Sequence, residues 1–92
     1  MVRSFADSYT EGVWHRRRTK LHPDTQRRAW NKIAMLNQAA TLSDLRVPLG
    51  NRLEQLRGDR AGQHSIRINQ QWRICFRWTE AGPEDVQITD YH

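Results

Sequence analysis

One stretch, HSIRINQQWRICFRW at residues 64–78, restricts the fold more than any other. Ile66 and Ile68, then Trp72, Ile74, Phe76 and Trp78, fall on alternate positions, with Arg67, Arg73 and Arg77 between them. That is the period of β-strands with one face in a core. In an antiparallel hairpin, opposed residues have a constant sum of numbers. A three-residue turn at Asn69, Gln70 and Gln71 pairs Ile68 with Trp72, Ile66 with Ile74 and Arg67 with Arg73. All the apolar side chains then share one face. On the other face two arginines stand opposite each other, an arrangement unfavourable by roughly 0.2–1 kcal/mol unless an anion separates them. Either a phosphate or a partner's carboxylate belongs there, or each arginine pairs with a nearby acid such as Glu54, Asp59 or Asp90.

With 92 residues the chain is one domain, 1–92, and such a domain buries roughly 60–65% of its unfolded surface around one core. Lys and Arg number 15 against 10 Asp and Glu, a formal net charge of +5. The cations concentrate in residues 16–32 and 46–77, whereas Glu80, Glu84, Asp85 and Asp90 lie towards the C-terminus. Such a surface attracts phosphate backbones and acidic proteins. Cys75 stands alone, which excludes an internal disulfide and a CxxC zinc site and fits a reducing cytoplasm. No apolar run approaches the roughly 20 residues that span a bilayer. The opening MVRSFADSYTEG has no apolar h-region, so a secretory signal is not expected.

Val2 and Phe5 predict a short first strand. ADSYTEGVWHRRR reads as a weak helix ending in a solvated loop at Arg16, Arg17 and Arg18. HPDTQRRAWNKIAMLNQAATLSDL is the clear helix. Pro23 suits its first turn, and Asp24 complements the N-terminal dipole. Ala29, Ile33, Leu36 and Ala40 mark its buried face, widened by Trp30 and Ala34. Arg27, Arg28 and Lys32 fall outside that stripe, as a solvated face or a phosphate-contacting one. A short turn around residues 42–45 follows, and Pro48 with Gly50 breaks the pattern. RLEQL predicts a short strand and RGDRAG a loop; Gly58 and Gly62 are not followed by Lys-Ser/Thr, so no phosphate-binding P-loop is present. EAGPED predicts a turn and VQITDY a last strand. If Val86 and Ile88 face the core, Tyr91 emerges beside the arginines.

His15, His22, His64 and His92 show no HExxH or zinc spacing, and no metal or other cofactor is expected. Cys75 shares the parity of Arg73 and Arg77 and reads as a small half-buried strand residue. A sheet face with Arg67, Arg73 and Arg77, the LRGDR loop and a terminal Tyr can hold RNA. Cleaving RNA requires removal of the 2′-OH proton, stabilisation of charge on the phosphate and a proton for the leaving 5′ oxygen. Arg serves the second through its fork of donors and the other two poorly, because its pKa exceeds about 12.

GNRLEQLRGDRAGQHSIRINQQWRICFRW, followed by ITDYH, resembles the HigB branch of the RelE-type bacterial toxins. The resemblance covers essentially the whole chain, and its most specific part is LRGDRAGQHSIRINQQWRICF with the final DYH. It implies an α+β fold, with N-terminal helices packed against a small, mainly antiparallel twisted sheet. It implies a cytoplasmic bacterial toxin that cuts mRNA in the ribosomal decoding site and arrests translation. It also implies a cognate helix-turn-helix, HigA-like antitoxin that contacts operator DNA. By resemblance, Arg73 contacts the scissile phosphate and Tyr91 orients or deprotonates the 2′-OH, with Asp90 and His92 in support. Glu54 and Arg57 stand where the best-known HigB motif has histidine and lysine. Arg57 keeps the charge, and Glu54 is a base or an ion-pair partner. The general acid and base stay open on this reading. Arg67, Arg77, Arg60, Arg27, Arg28 and Lys32 are the expected RNA or ribosome contacts. Two other classes explain the charge: a non-catalytic nucleic-acid-binding module, or a protein-interaction module whose arginines meet an acidic partner.

Overall fold

In a computed structural model, which describes residues 1–90, two helices pack against one face of a four-stranded antiparallel sheet. Helix α1 (Ser8–Trp14) starts where the Asp7 carboxylate accepts the Thr10 N–H at 2.8 Å. Helix α2 (Pro23–Gln38) starts with Pro23 at the first helical position. Its cap is His22, whose Nδ1 accepts the Asp24 N–H at 3.2 Å, a use of histidine that the sequence reading missed.

Ala29, Ile33 and Leu36 are fully buried on α2, as the periodicity predicts, but Ala40 is not. The helix stops at Gln38, and Ala39 turns extended. The Asp44 carboxylate then takes the N–H groups of Ala40 and Thr41 at 2.9 and 3.0 Å and caps the next turn, Leu42–Arg46. Local capping by Asp44 therefore overrides the helical pattern at Ala40. The arginine loop is folded back rather than simply solvated. Arg16 lies 4.3 Å from the centre of the Trp30 ring, which itself stacks on Trp14 at 5.2 Å. Gln26 Nε2 donates to the Arg17 carbonyl at 2.8 Å.

The strands are β1 (Glu54–Gln55), β2 (His64–Arg67), β3 (Trp72–Thr79) and β4 (Gly82–Asp90), paired in that order. The β2–β3 register is the one that alternation demands: Ile66 faces Ile74 and Arg67 faces Arg73. Asn69 organises the turn, its Oδ1 accepting the N–H groups of Gln71 and Trp72 at 2.8 Å. The β3–β4 register slips between Cys75 and Arg77, with Asp85 at φ 53 as the extra residue. The predicted first strand is only a single parallel bridge, Phe5 to Val86. That segment still covers the outer edge of β4, and Thr10 Oγ1 accepts the Ile88 N–H at 2.9 Å. Phe76, Ile66, Ile74, Val86, Ile33, Leu36, Leu45 and Val13 form the core between helices and sheet. The opposite sheet face carries Glu54, Ser65, Arg67, Arg73, Cys75, Gln87 and Thr89 as register partners.

Candidate functional site

Arg73 is the centre of that second face. Although it lies on the face away from the helices, it is only 5% exposed. A guanidinium can be buried only if its donors are satisfied and its charge is offset. Nε donates to Ser65 Oγ at 2.8 Å, and Nη2 donates to the Arg52 carbonyl at 2.9 Å and the Ser65 carbonyl at 3.4 Å. Glu54 Oε2 stands 3.6 Å from Nη2, with its own side chain half exposed. The guanidinium is thus held by these partners, with a carboxylate at the rim of the site.

Each of these partners is placed by a local feature. Ser65 faces Cys75 across the β2–β3 ladder, one step from Arg73, and is fully buried. Glu54 opens β1 opposite Ser65. Arg52 follows the turn Leu49–Asn51 with φ 46 and ψ 55, a left-handed conformation unusual for a residue with a Cβ. Such strain costs on the order of 1–3 kcal/mol and persists where surrounding contacts enforce it. The residue before Arg52, Asn51, is fully buried; its Nδ2 donates to the Leu45 carbonyl at 3.2 Å and its Oδ1 accepts from Lys32 Nζ. Lys32 on α2 thereby reaches the turn that presents a carbonyl to Arg73.

The remaining expected residues are distributed unevenly. Arg57 is exposed on the loop after β1. Arg60 donates to Gln63 Oε1 and Gln87 Oε1, both at 3.1 Å. Arg77 approaches Asp85 at 3.9 Å and lies over Gly62, where an added Cβ would stand 2.7 Å from Nη1. Arg27 pairs with Asp24 at 3.0 Å on an exposed surface. Of the opposed hairpin arginines, Arg73 has an expected acid, Glu54, whereas Arg67 Nε donates to the Asn69 carbonyl at 3.0 Å; the acid beside Arg77 is Asp85. Arg28, Lys32 and Arg67 meet at a cleft beside the β2–β3 turn. Burial, then the neighbouring Arg28, holds the Lys32 ammonium below the usual lysine pKa. Cys75 is buried, with Sγ 3.0 Å from Thr89 Oγ1. Asp90 accepts from Gln71 Nε2 at 3.3 Å. Tyr91 and His92 lie outside the described residues. His64 sits on the other side of the sheet, opposite Phe76; burial lowers its pKa. Sequence reasoning missed Ser65, Asn51 and Arg52. The hairpin register already brings Ser65 next to Arg73, so that one was within reach.

No helix among the described residues is long and apolar enough to cross a membrane. A family model described as the RelE-like toxin of type II toxin–antitoxin system HigB matches residues 3–92. Toxin HigB-1 of Vibrio cholerae serotype O1 is 38% identical over 82 residues, spanning 87% of this chain and 86% of that toxin. The α+β architecture, the arginine held on the sheet face and these two matches agree. The chain belongs to the HigB-like family of RelE-like toxins from type II toxin–antitoxin systems.

Proposed function

We propose that this toxin is a ribosome-dependent mRNA endoribonuclease that arrests translation by cutting mRNA in the decoding site. The observation that carries this reading is Arg73. It occupies the position that the family resemblance assigns to the phosphate-contacting arginine, and Ser65, the Arg52 carbonyl and Glu54 hold it. A preorganised guanidinium stabilises the extra negative charge on phosphorus without reorganising during the reaction. Arg57 adds a second positive charge, and Tyr91 acts on the 2′-OH. Glu54 or His92 assists, one candidate being proton transfer by the Glu54 carboxylate.

An arginine-centred site whose general acid and base are unassigned is expected to be weak on free RNA. The ribosome compensates by aligning the 2′-OH with the phosphate, an effect that reaches about 7–11 kcal/mol when alignment is good. Arg67, Arg77, Arg60, Arg27, Arg28 and Lys32 serve as contacts to RNA. As a type II toxin the chain has an antitoxin partner. We take that partner to be a helix-turn-helix protein that carries the complex to operator DNA, and the setting to be the bacterial cytoplasm.

The test is to incubate the purified protein with an mRNA, with and without programmed ribosomes, and to map new RNA ends. New ends only in the presence of ribosomes are expected. Equal cleavage of naked RNA would make the protein a free ribonuclease. Ribosome binding without cleavage would make it a binding module. Removing Tyr91 and His92 separates the same alternatives, since a binder tolerates the loss and a nuclease does not.

A further inference from the structure

Between the buried Leu45 and β1 the chain runs almost wholly at the surface. Residues 46–50 and 52 are exposed, and Asn51 alone in this segment is buried, at 0% exposure. Its side chain is used at both ends. Oδ1 accepts from Lys32 Nζ; Nδ2 donates to the Leu45 carbonyl at 3.2 Å and lies 3.8 Å from Met35 Sδ. Lys32 and Met35 share one side of α2, a helix packed on the sheet. Asn51 therefore ties an exposed segment to a rigid element. An aliphatic side chain offers neither bond, and an aspartate lacks the donor that the Leu45 carbonyl needs. The next residue is Arg52, left-handed at φ 46, whose carbonyl accepts from Arg73 Nη2 at 2.9 Å.

What that carbonyl adds follows from the shape of a guanidinium. Ser65, on the neighbouring strand, takes Nε at 2.8 Å and Nη2 at 3.4 Å. A guanidinium held mainly at Nε can still swing about its side-chain bonds. A short bond at Nη2, from outside the strands, opposes that swing. The bond is only as well placed as residues 51 and 52. Within the turn Leu49–Asn51, the Asn51 N–H donates to the Pro48 carbonyl at 3.0 Å and the Arg52 N–H to the Leu49 carbonyl at 3.1 Å. Both bonds lie inside the exposed segment; they shape the turn without fastening it to the core. We propose that Asn51 is a positioning residue for the cleavage reaction: it holds the Arg52 carbonyl where that carbonyl orients Arg73 towards the phosphate. The inference rests on the reading of Arg73 as the phosphate-stabilising group. It gives a task to a buried side chain that touches neither RNA nor the reacting atoms.

The test is a double-mutant cycle read by single-turnover cleavage at saturating programmed ribosomes. Asn51→Ala is combined with Arg73→Lys. Asn51→Asp, which keeps the acceptor for Lys32, is the second variant should Asn51→Ala not fold. Leu36→Ala, a core truncation on α2, controls for lost stability, and melts establish that each variant is folded at the assay temperature. Misplacement of a group in the site by about 1 Å slows a reaction by up to about 10²-fold, so Asn51→Ala lowers the native rate about 10–100-fold with ribosome binding retained. In the Arg73→Lys background the same substitution changes the rate by less than about two-fold, because no oriented fork is left to lose. Leu36→Ala changes little in either background. An equal loss from Asn51→Ala in both backgrounds, or no loss in the native protein, overturns the proposal. The side-chain NMR signals of Arg73, identified by their absence from Arg73→Lys, form an arm that needs no cleavage. A resolved Nη2 signal in the native protein and in Leu36→Ala that averages out in Asn51→Ala supports the proposal; the same signal in all three overturns it. If the native protein cuts nothing on the ribosome, the nuclease reading fails, and the NMR arm alone decides whether Asn51 orients Arg73.

Discussion

Arg73 is held more tightly than a surface phosphate contact would be, and the first residue-level prediction follows from how. Ser65→Ala leaves a buried guanidinium N–H without its acceptor, which costs about 1–3 kcal/mol of stability. It also lowers the cleavage rate, because Arg73 loses its orientation. Ser65→Thr keeps an acceptor and recovers part of both; denaturant melts and single-turnover cleavage check this, and an unchanged rate in Ser65→Ala would show that the hydroxyl does not position Arg73. The second prediction concerns His64. Burial holds its folded-state pKa below the ordinary 6.5, so the unfolded chain takes up the proton first as pH falls. The stability that neutral His64 contributes is complete above that value and is lost as pH drops through it. Thermal melts from pH 8 to 5 should show a steeper loss in the native protein than in His64→Phe; parallel curves would assign the acid sensitivity elsewhere. At this scale the sequence exposed Arg73 and Glu54 through alternation and type. It hid Arg52, which acts through a carbonyl that no side-chain pattern reports.

Among the elements, α2 and the β2–β3 hairpin were legible because their periods are long and uninterrupted. Leu36 and Ile33 sit where α2 faces the sheet, and Leu36→Ala should cost about 2–5 kcal/mol in a chemical denaturation series. Boundaries were less legible. Ala40 fits the helical stripe, yet Asp44, four residues later, claims its N–H for a different turn. The bulge in β4 has no period of its own and depends on Asp85 adopting a positive φ. The N-terminal segment docks through backbone contact: at Gly82, φ 122, an added Cβ would lie 2.2 Å from the Met1 carbonyl oxygen. Gly82→Ala should therefore detach this segment and lower the melting temperature well below that of Gly50→Ala, where nothing stands within 4 Å. Equal melting temperatures would show that the segment contributes little.

The whole molecule separates its charges by task. Arg73 is internal, with the Glu54 carboxylate 3.6 Å away; Arg28, Lys32 and Arg67 line a cleft beside the β2–β3 turn. The net charge of +5 announces a polyanion partner, but not this division, because pairing depends on the folded distances. The central claim is that an oriented guanidinium at Arg73 provides the phosphate stabilisation for ribosome-dependent cleavage. The most direct measurement is the single-turnover cleavage rate of programmed ribosomes by native protein and by Arg73→Lys, with both shown to be folded by their melts. Lysine keeps the charge and loses the fork that Ser65 and Arg52 hold. A rate about 10²–10³-fold lower, with ribosome binding retained, is the expected result. A rate within a few-fold of the native protein would contradict the account.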